Sequence, residues 1–189
     1  MRPKTTSDRE VLLALTALFR EHGFEGTSLS MIAEATGLKR ASLYHRFPDG
    51  KSDMALAVID FTCDEFAEVL SPLHESGPVK TRIRKAARNL DAYYEGGLRS
   101  CLVDSLSVGT RADQRGVVAE RIAQIMDGFI GSFAKVAREA GASASEAKRR
   151  AEDAVVRFEG SLVVGRSTGN TKPFKRWVQS LPELLAGDN

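Results

Sequence analysis

The sequence predicts an all-α protein: a three-helix N-terminal head followed by a larger helical body, about nine helices in all. Apolar residues recur at spacings of three and four in one segment after another, and no useful run alternates with the two-residue period of a strand. Turn residues punctuate those segments at Gly23, Gly37, Pro48-Asp49-Gly50, Ser76-Gly77-Pro78, Gly141 and Thr168-Gly169-Asn170. With 42% hydrophobic and 28% charged residues among 189, the chain can bury a core and still solvate its surface.

The first helix opens at a Ser7-x-x-Glu10 capping box. Val11, Leu12, Leu15, Leu18 and Phe19 then make one apolar stripe, and Gly23 sits where the helix should stop. A short second helix follows, with Thr27 or Ser28 able to cap it and Leu29, Ile32, Ala33 and Thr36 on one face. Gly37 is the residue that enters a left-handed turn at least cost. Leu38, Leu43 and Phe47 resume the apolar pattern, so Lys39, Arg40, Ser42, His45 and Arg46 are left facing outward. Pro48 ends this third helix, because proline disfavours helical geometry in the residue before it. The unit reads as a helix-turn-helix, whose exposed basic helix suits a DNA major groove.

The segment GFEGTSLSMIAEATGLKRASLYHRFPDGK resembles the head of TetR-family transcriptional regulators. It has their Gly-aromatic stop, Thr/Ser-led second helix, Ile-Ala-Glu-Ala core, Gly turn and third helix ending Leu-Tyr-His-x-Phe. One departure is that Phe47-Pro48-Asp49-Gly50-Lys51 carries an extra residue before the lysine. The resemblance covers about the first quarter of the chain; beyond it only length and helical layout agree.

Chemistry and resemblance together assign expected roles. Arg40 is placed to pair bidentately with a guanine, and Lys39 suits a phosphate equally well. Ala41 allows close approach or touches a thymine methyl, while Ser42 and His45 reach bases or phosphates. The resemblance makes Tyr44 a phosphate contact, with its ring packed and its hydroxyl outward. Thr27 and Ser28 can bring hydroxyls and free N–H groups to a phosphate at a helix start, and Lys51 can contact a phosphate with its ammonium from the start of the next helix. Singly, such residues are more often a solvated face; it is their joint register that points to DNA.

Charge agrees. Up to Lys51 there are 8 Lys+Arg against 6 Asp+Glu, and the remainder has 19 against 19, so the net +2 resides in the head. That is the footprint expected where phosphate neutralisation supplies affinity. Arg2 and Lys4 belong to an N-terminal arm that could also touch DNA. The same arm is not expected to be a signal peptide, since Asp8 and Glu10 interrupt the pattern and no small-x-small cleavage site follows.

Residues 1–50 are therefore expected to form the DNA-binding domain and 51–189 a ligand-binding and dimerisation domain. Body helices are predicted over about 51–73, 79–95, 101–108 and 114–140. A second capping box at Ser143 and Glu146 opens another, to about Arg166, and a last helix has Pro173 in its first turn. The resemblance implies that the final pair forms a two-fold four-helix bundle between two copies, with Leu162, Phe174, Trp177, Val178 and Leu181 in the interface. The alternative is that these residues close the monomer's own core.

The resemblance also implies a small-molecule pocket in the body, for which Phe61, Cys101, Met126, Phe129 and Phe158 are the candidate lining. Taken singly, aromatic and Met residues at this spacing are more often plain core. Arg99 and Arg166 are candidates to meet an anionic ligand, or simply bond last-turn carbonyls. Neither a metal nor a cofactor is expected, because His22, His45 and His74 have no ligand spacing and no Gly-rich phosphate loop or nucleophile–base pair occurs. Two cysteines, Cys63 and Cys101, make no disulfide framework, so a reducing cytoplasm is the expected setting. No apolar run approaches the roughly 18 residues of a membrane span. The expected function, as the resemblance implies, is that of a ligand-responsive transcriptional repressor that binds a palindromic operator as a homodimer and is released by an unknown small molecule. A ligand-independent helical DNA-binding protein of structural role is the alternative, and enzymatic activity is not expected.

Overall fold

The computed structural model describes residues 7–108 and 116–187, and these contain nine α-helices. They divide into two compact units. The first takes in residues 7–64, 102–108 and 116–123, the second 65–101 and 124–187. This division differs from the expected 1–50 and 51–189, because much of the fourth helix and the short sixth one group with the head.

In the first unit, α1 (Asp8–Gly26) starts at the expected capping box: the Glu10 amide donates to the Ser7 hydroxyl, and the Glu10 carboxylate accepts from the Ser7 amide at 2.8 Å. Val11, Leu15 and Phe19 are its buried stripe, each side chain contributing about 1.5–3 kcal/mol by leaving water. Gly23 breaks the helical run at φ 68°, ψ −176°, a conformation open in practice to glycine alone. Helix α2 (Leu29–Thr36) is capped by Ser28, whose hydroxyl accepts from the Met31 amide, and is stopped by left-handed Gly37. Helix α3 (Arg40–Arg46) buries Leu43 against that scaffold. Helix α4 (Lys51–Leu70) follows, its start fixed by the Asp53 carboxylate accepting from the Asp49 amide at 2.8 Å.

Also in this unit, α6 (Leu102–Ser107) packs on α1. The Ser105 hydroxyl donates to the Arg20 carbonyl at 3.2 Å, and the Ser105 carbonyl occupies the space a side chain on Gly23 would need. Near the start of α7 (Val117–Glu139), Arg121 forms a two-pronged ion pair with Asp60 of α4. The predicted start of this helix at Gln114 lies outside the described residues.

The second unit is built on α5 (Val79–Tyr93), α8 (Ala144–Thr168) and α9 (Lys172–Ala186), with the rest of α7. Phe133, Phe158, Phe174, Leu90 and Leu181 are fully buried in it. Here Gly97, at φ 96°, lets the backbone lie directly against Phe174, where a side-chain carbon would come within 2.8 Å. Arg82 is buried, donating to the carbonyls of Leu73 and Glu75 and to the Glu139 carboxylate of α7.

Several boundaries differ from the sequence reading. The helix predicted over 51–73 ends as α-helix at Leu70 and tightens into a 3₁₀ turn, Ser71–His74, where Pro72 cannot donate an amide. That predicted over 79–95 ends at Tyr93, because Glu95 and Gly96 take positive φ. Of the second capping box only half forms. Ser143 accepts from the Glu146 amide, but the Glu146 carboxylate turns to Arg149 and Arg150 instead. These guanidiniums hold the Glu146 carboxyl below its usual range.

Candidate nucleic-acid interface

The α2–turn–α3 unit leaves Ser28, Lys39, Arg40, Ala41, Ser42, Tyr44 and His45 exposed, and holds Ile32, Thr36 and Leu43 buried behind them. Local chemistry explains the separation. The Thr36 hydroxyl donates to the Ile32 carbonyl and accepts from the Leu38 amide, so the turn's polar groups are satisfied internally. The α3 N-terminus carries Lys39 as its cap residue, with no side-chain capping bond. Its first-turn amides are thus joined by cationic side chains, an arrangement that attracts phosphate.

Three cationic side chains of the head are held by neighbouring elements. Arg40 donates from Nη2 to the Ser30 hydroxyl of α2 at 3.0 Å. Arg46, read from the sequence as part of the outward face, is half-buried and paired with Asp8 at 3.1 Å. Lys51 stands at the start of α4, 4.0 Å from the Glu25 carboxylate, with its ammonium 4.5 Å from the Phe24 ring centroid. Tyr44 is 47% exposed, and its ring edge lies 3.5 Å from where a side chain on Gly50 would begin.

Thr27 departs from expectation. It is only 1% exposed, and its hydroxyl donates inward to the Gly23 carbonyl at 2.6 Å. It clamps the α1–α2 corner, so that hydroxyl is not presented to a phosphate; Ser28 is the exposed cap. The Ser30–Arg40, Arg46–Asp8 and Lys51–Glu25 pairs have no trace in the sequence, because each joins residues on different helices and leaves no periodic signal.

In the second unit, Phe129 and Phe158 meet edge to face with centroids 5.6 Å apart, within a cluster that also holds Phe66, Tyr94, Phe133, Phe174 and Trp177. Cys101 is buried and Met126 half-buried, whereas Phe61 is half-buried in the first unit. Arg99 is paired with Glu95 and stacked on Tyr93. Cys63 and Cys101 are not joined in a disulfide and are assigned to different units; burial chiefly pushes the Cys63 thiol up, with Arg121 opposing.

Of the residues expected between copies, Leu162, Phe174, Trp177 and Leu181 are buried within the single chain, and only Val178 is partly exposed. The Trp177 indole N–H donates to the Ala154 carbonyl at 2.8 Å. These four therefore serve the chain's own core. What α8 presents outward is Val156, Val163 and Val164, with Gly160 in open space. Beside them runs an open groove of about 500 Å³ floored by Trp177 and edged by Arg157, Val164, Pro173 and Arg176. Among the described residues, no group of three His, Cys, Asp or Glu is placed to hold a metal ion, and no helix is long and apolar enough to cross a membrane.

Comparison with known proteins matches residues 11–58 to the family described as bacterial regulatory proteins, tetR family. Across nearly its whole length the chain is similar to the HTH-type transcriptional regulator LmrA of Bacillus subtilis, 25% identical over 95% of this chain and 96% of that protein. A shorter match, 37% identical over 35% of each chain, is to the HTH-type transcriptional repressor AcnR of Corynebacterium glutamicum. Among solved structures, a TetR transcriptional regulator from Legionella pneumophila shares the fold, with a TM-score of 0.82, 22% identity, and coverage of 98% of this chain and 100% of that one.

Proposed function

We propose that this chain, whose residues 11–58 match the tetR family of bacterial regulatory proteins, is a transcriptional repressor binding a palindromic operator as a homodimer and released by a small molecule held in its C-terminal part. The observation that carries the DNA-binding half is the sided α3: Lys39, Arg40, Ser42 and His45 exposed, Leu43 wholly buried. A single helix end reads only a few base pairs, so two heads related by two-fold symmetry are needed for a specific site.

Dimerisation is supported by the outward valines of α8 and by Gly160, which leaves room for a second helix to approach. Ligand response is supported by the aromatic cluster around Phe129 and Phe158, a suitable lining for a hydrophobic effector. A ligand acts here by fitting the DNA-incompetent form better, which moves the population away from the operator-bound state.

Selecting bound fragments from random-sequence DNA tests the reading. The expected result is an enriched inverted repeat; a pool without enrichment overturns sequence-specific recognition and favours a structural DNA-binding role. Screening apolar compounds by thermal shift, then adding hits to the complex with the selected duplex, tests the effector: the expected hit raises the melting temperature and releases DNA.

A further inference from the structure

The cations that the head holds in place are not all held by the same chemistry. Arg46 and Lys51 face carboxylates, Asp8 and Glu25, which offset their charge. Arg40, the first residue of α3, is instead held by a neutral hydroxyl: its Nη2 donates to Ser30 Oγ at 3.0 Å. A neutral acceptor orders a guanidinium without cancelling the charge that attracts DNA. Ser30 is also spare in its own helix, since capping of α2 is carried by Ser28.

We propose that Ser30 is a positioning residue for base readout, holding Arg40 in a guanine-reading pose; this rests on the reading of α3 as the recognition helix. The stoichiometry allows it. A guanidinium has five N–H donors in a rigid fork, and a guanine edge takes two of them. One bond to Ser30 leaves enough donors for the base, so the tether persists in the complex. A long side chain ordered before binding loses less freedom on docking, and the benefit appears as affinity for the right sequence only. Having accepted from Arg40, the Ser30 hydroxyl keeps its own proton, free to donate to water or a phosphate oxygen.

The test uses the full-length protein, the duplex that the wild type selects from random DNA, and a scrambled duplex of equal length and composition. Ser30→Ala is expected to weaken binding to the selected duplex roughly three- to tenfold, in line with the net worth of one ordinary hydrogen bond, and to leave the scrambled duplex and the salt slope unchanged. Ser30→Thr, which keeps the hydroxyl, is expected to restore affinity. In an Arg40→Ala background the Ser30→Ala change is expected to add nothing. Melting curves establish that each variant is folded. Equal losses on both duplexes would make Ser30 a phosphate contact, and additive losses with Arg40→Ala would make it independent; either overturns the proposal. So does full affinity in Ser30→Ala alongside a weakened Arg40→Ala. Should Arg40→Ala itself retain the wild-type preference, the fault lies instead with Arg40 as a base reader, and the positioning role falls with it.

Discussion

The carbonyl oxygen of Ser105 lies 2.8 Å from the position a side-chain carbon on Gly23 would take. Two separate constraints therefore require glycine there: the backbone at φ 68°, ψ −176°, and the α6 carbonyl pressed against it. Gly37 has a positive φ too, but open space around it.

The pair gives a graded prediction. Gly23→Ala is expected to cost about 2–5 kcal/mol, from backbone strain and overpacking together. Gly37→Ala carries the left-handed penalty only, about 1–2 kcal/mol. Urea titrations of both variants measure this; equal losses would mean that α6 does not press on α1 as described.

Lys51 is the phosphate candidate whose charge is partly offset by a neighbour. Lys51→Ala is expected to weaken binding to all DNA sequences alike and to lower the salt slope by about one. Glu25→Gln, which removes the competing carboxylate 4.0 Å away, is expected to tighten that same sequence-independent binding. Affinities across a salt series decide it, and an unaltered slope in Lys51→Ala removes Lys51 from the phosphate contacts.

For the interface between copies, exposed and buried apolar residues of α8 and α9 are expected to behave oppositely. Val163→Asp places a charge on the outward face and should shift sedimentation toward monomer with little change in monomer folding. Trp177→Ala removes a buried ring and its hydrogen bond to Ala154, and should cost about 3–5 kcal/mol of stability. A Val163→Asp dimer as tight as the wild type would move the interface off this face.

The Arg82–Glu139 pair predicts acid sensitivity. Hydrogen bonding to Arg82 is the main cause holding the Glu139 carboxyl below its ordinary value of 4.5. A carboxyl depressed in the folded state stabilises fully above its unfolded value, and the contribution fades as pH falls through the folded value. Wild-type stability is therefore expected to decline below about pH 4.5 more steeply than that of Glu139→Gln. Arg82→Met should be destabilising across the pH range, since it strands the Leu73 and Glu75 carbonyls and the Glu139 carboxylate. Denaturant midpoints against pH test both; superimposable acid limbs would exclude the pair as their source.

The helix-turn-helix was legible because its signals are local. Ser7–Glu10, Ser28 and Gly37 each do within a few residues what their types require. Pairings between helices left no such trace: Asp8 and Arg46, or Ser30 and Arg40, meet only once the chain has turned. Thr27 differs from expectation for a related reason. A hydroxyl near a helix start can face a phosphate or an earlier carbonyl, and only the α1–α2 corner decides between them. An apolar stripe likewise does not say whose core it enters: for Phe174 and Trp177 the sequence allows a partner's surface or the chain's own core, and they lie inside their own chain.

Trp177 is the only tryptophan in the sequence. Its indole packs against Phe158 and Phe174, so the protein carries an intrinsic optical reporter. Changes in its emission on adding an effector would register rearrangement of that aromatic cluster without any attached dye, and it can be followed on the millisecond scale at which a regulator changes state.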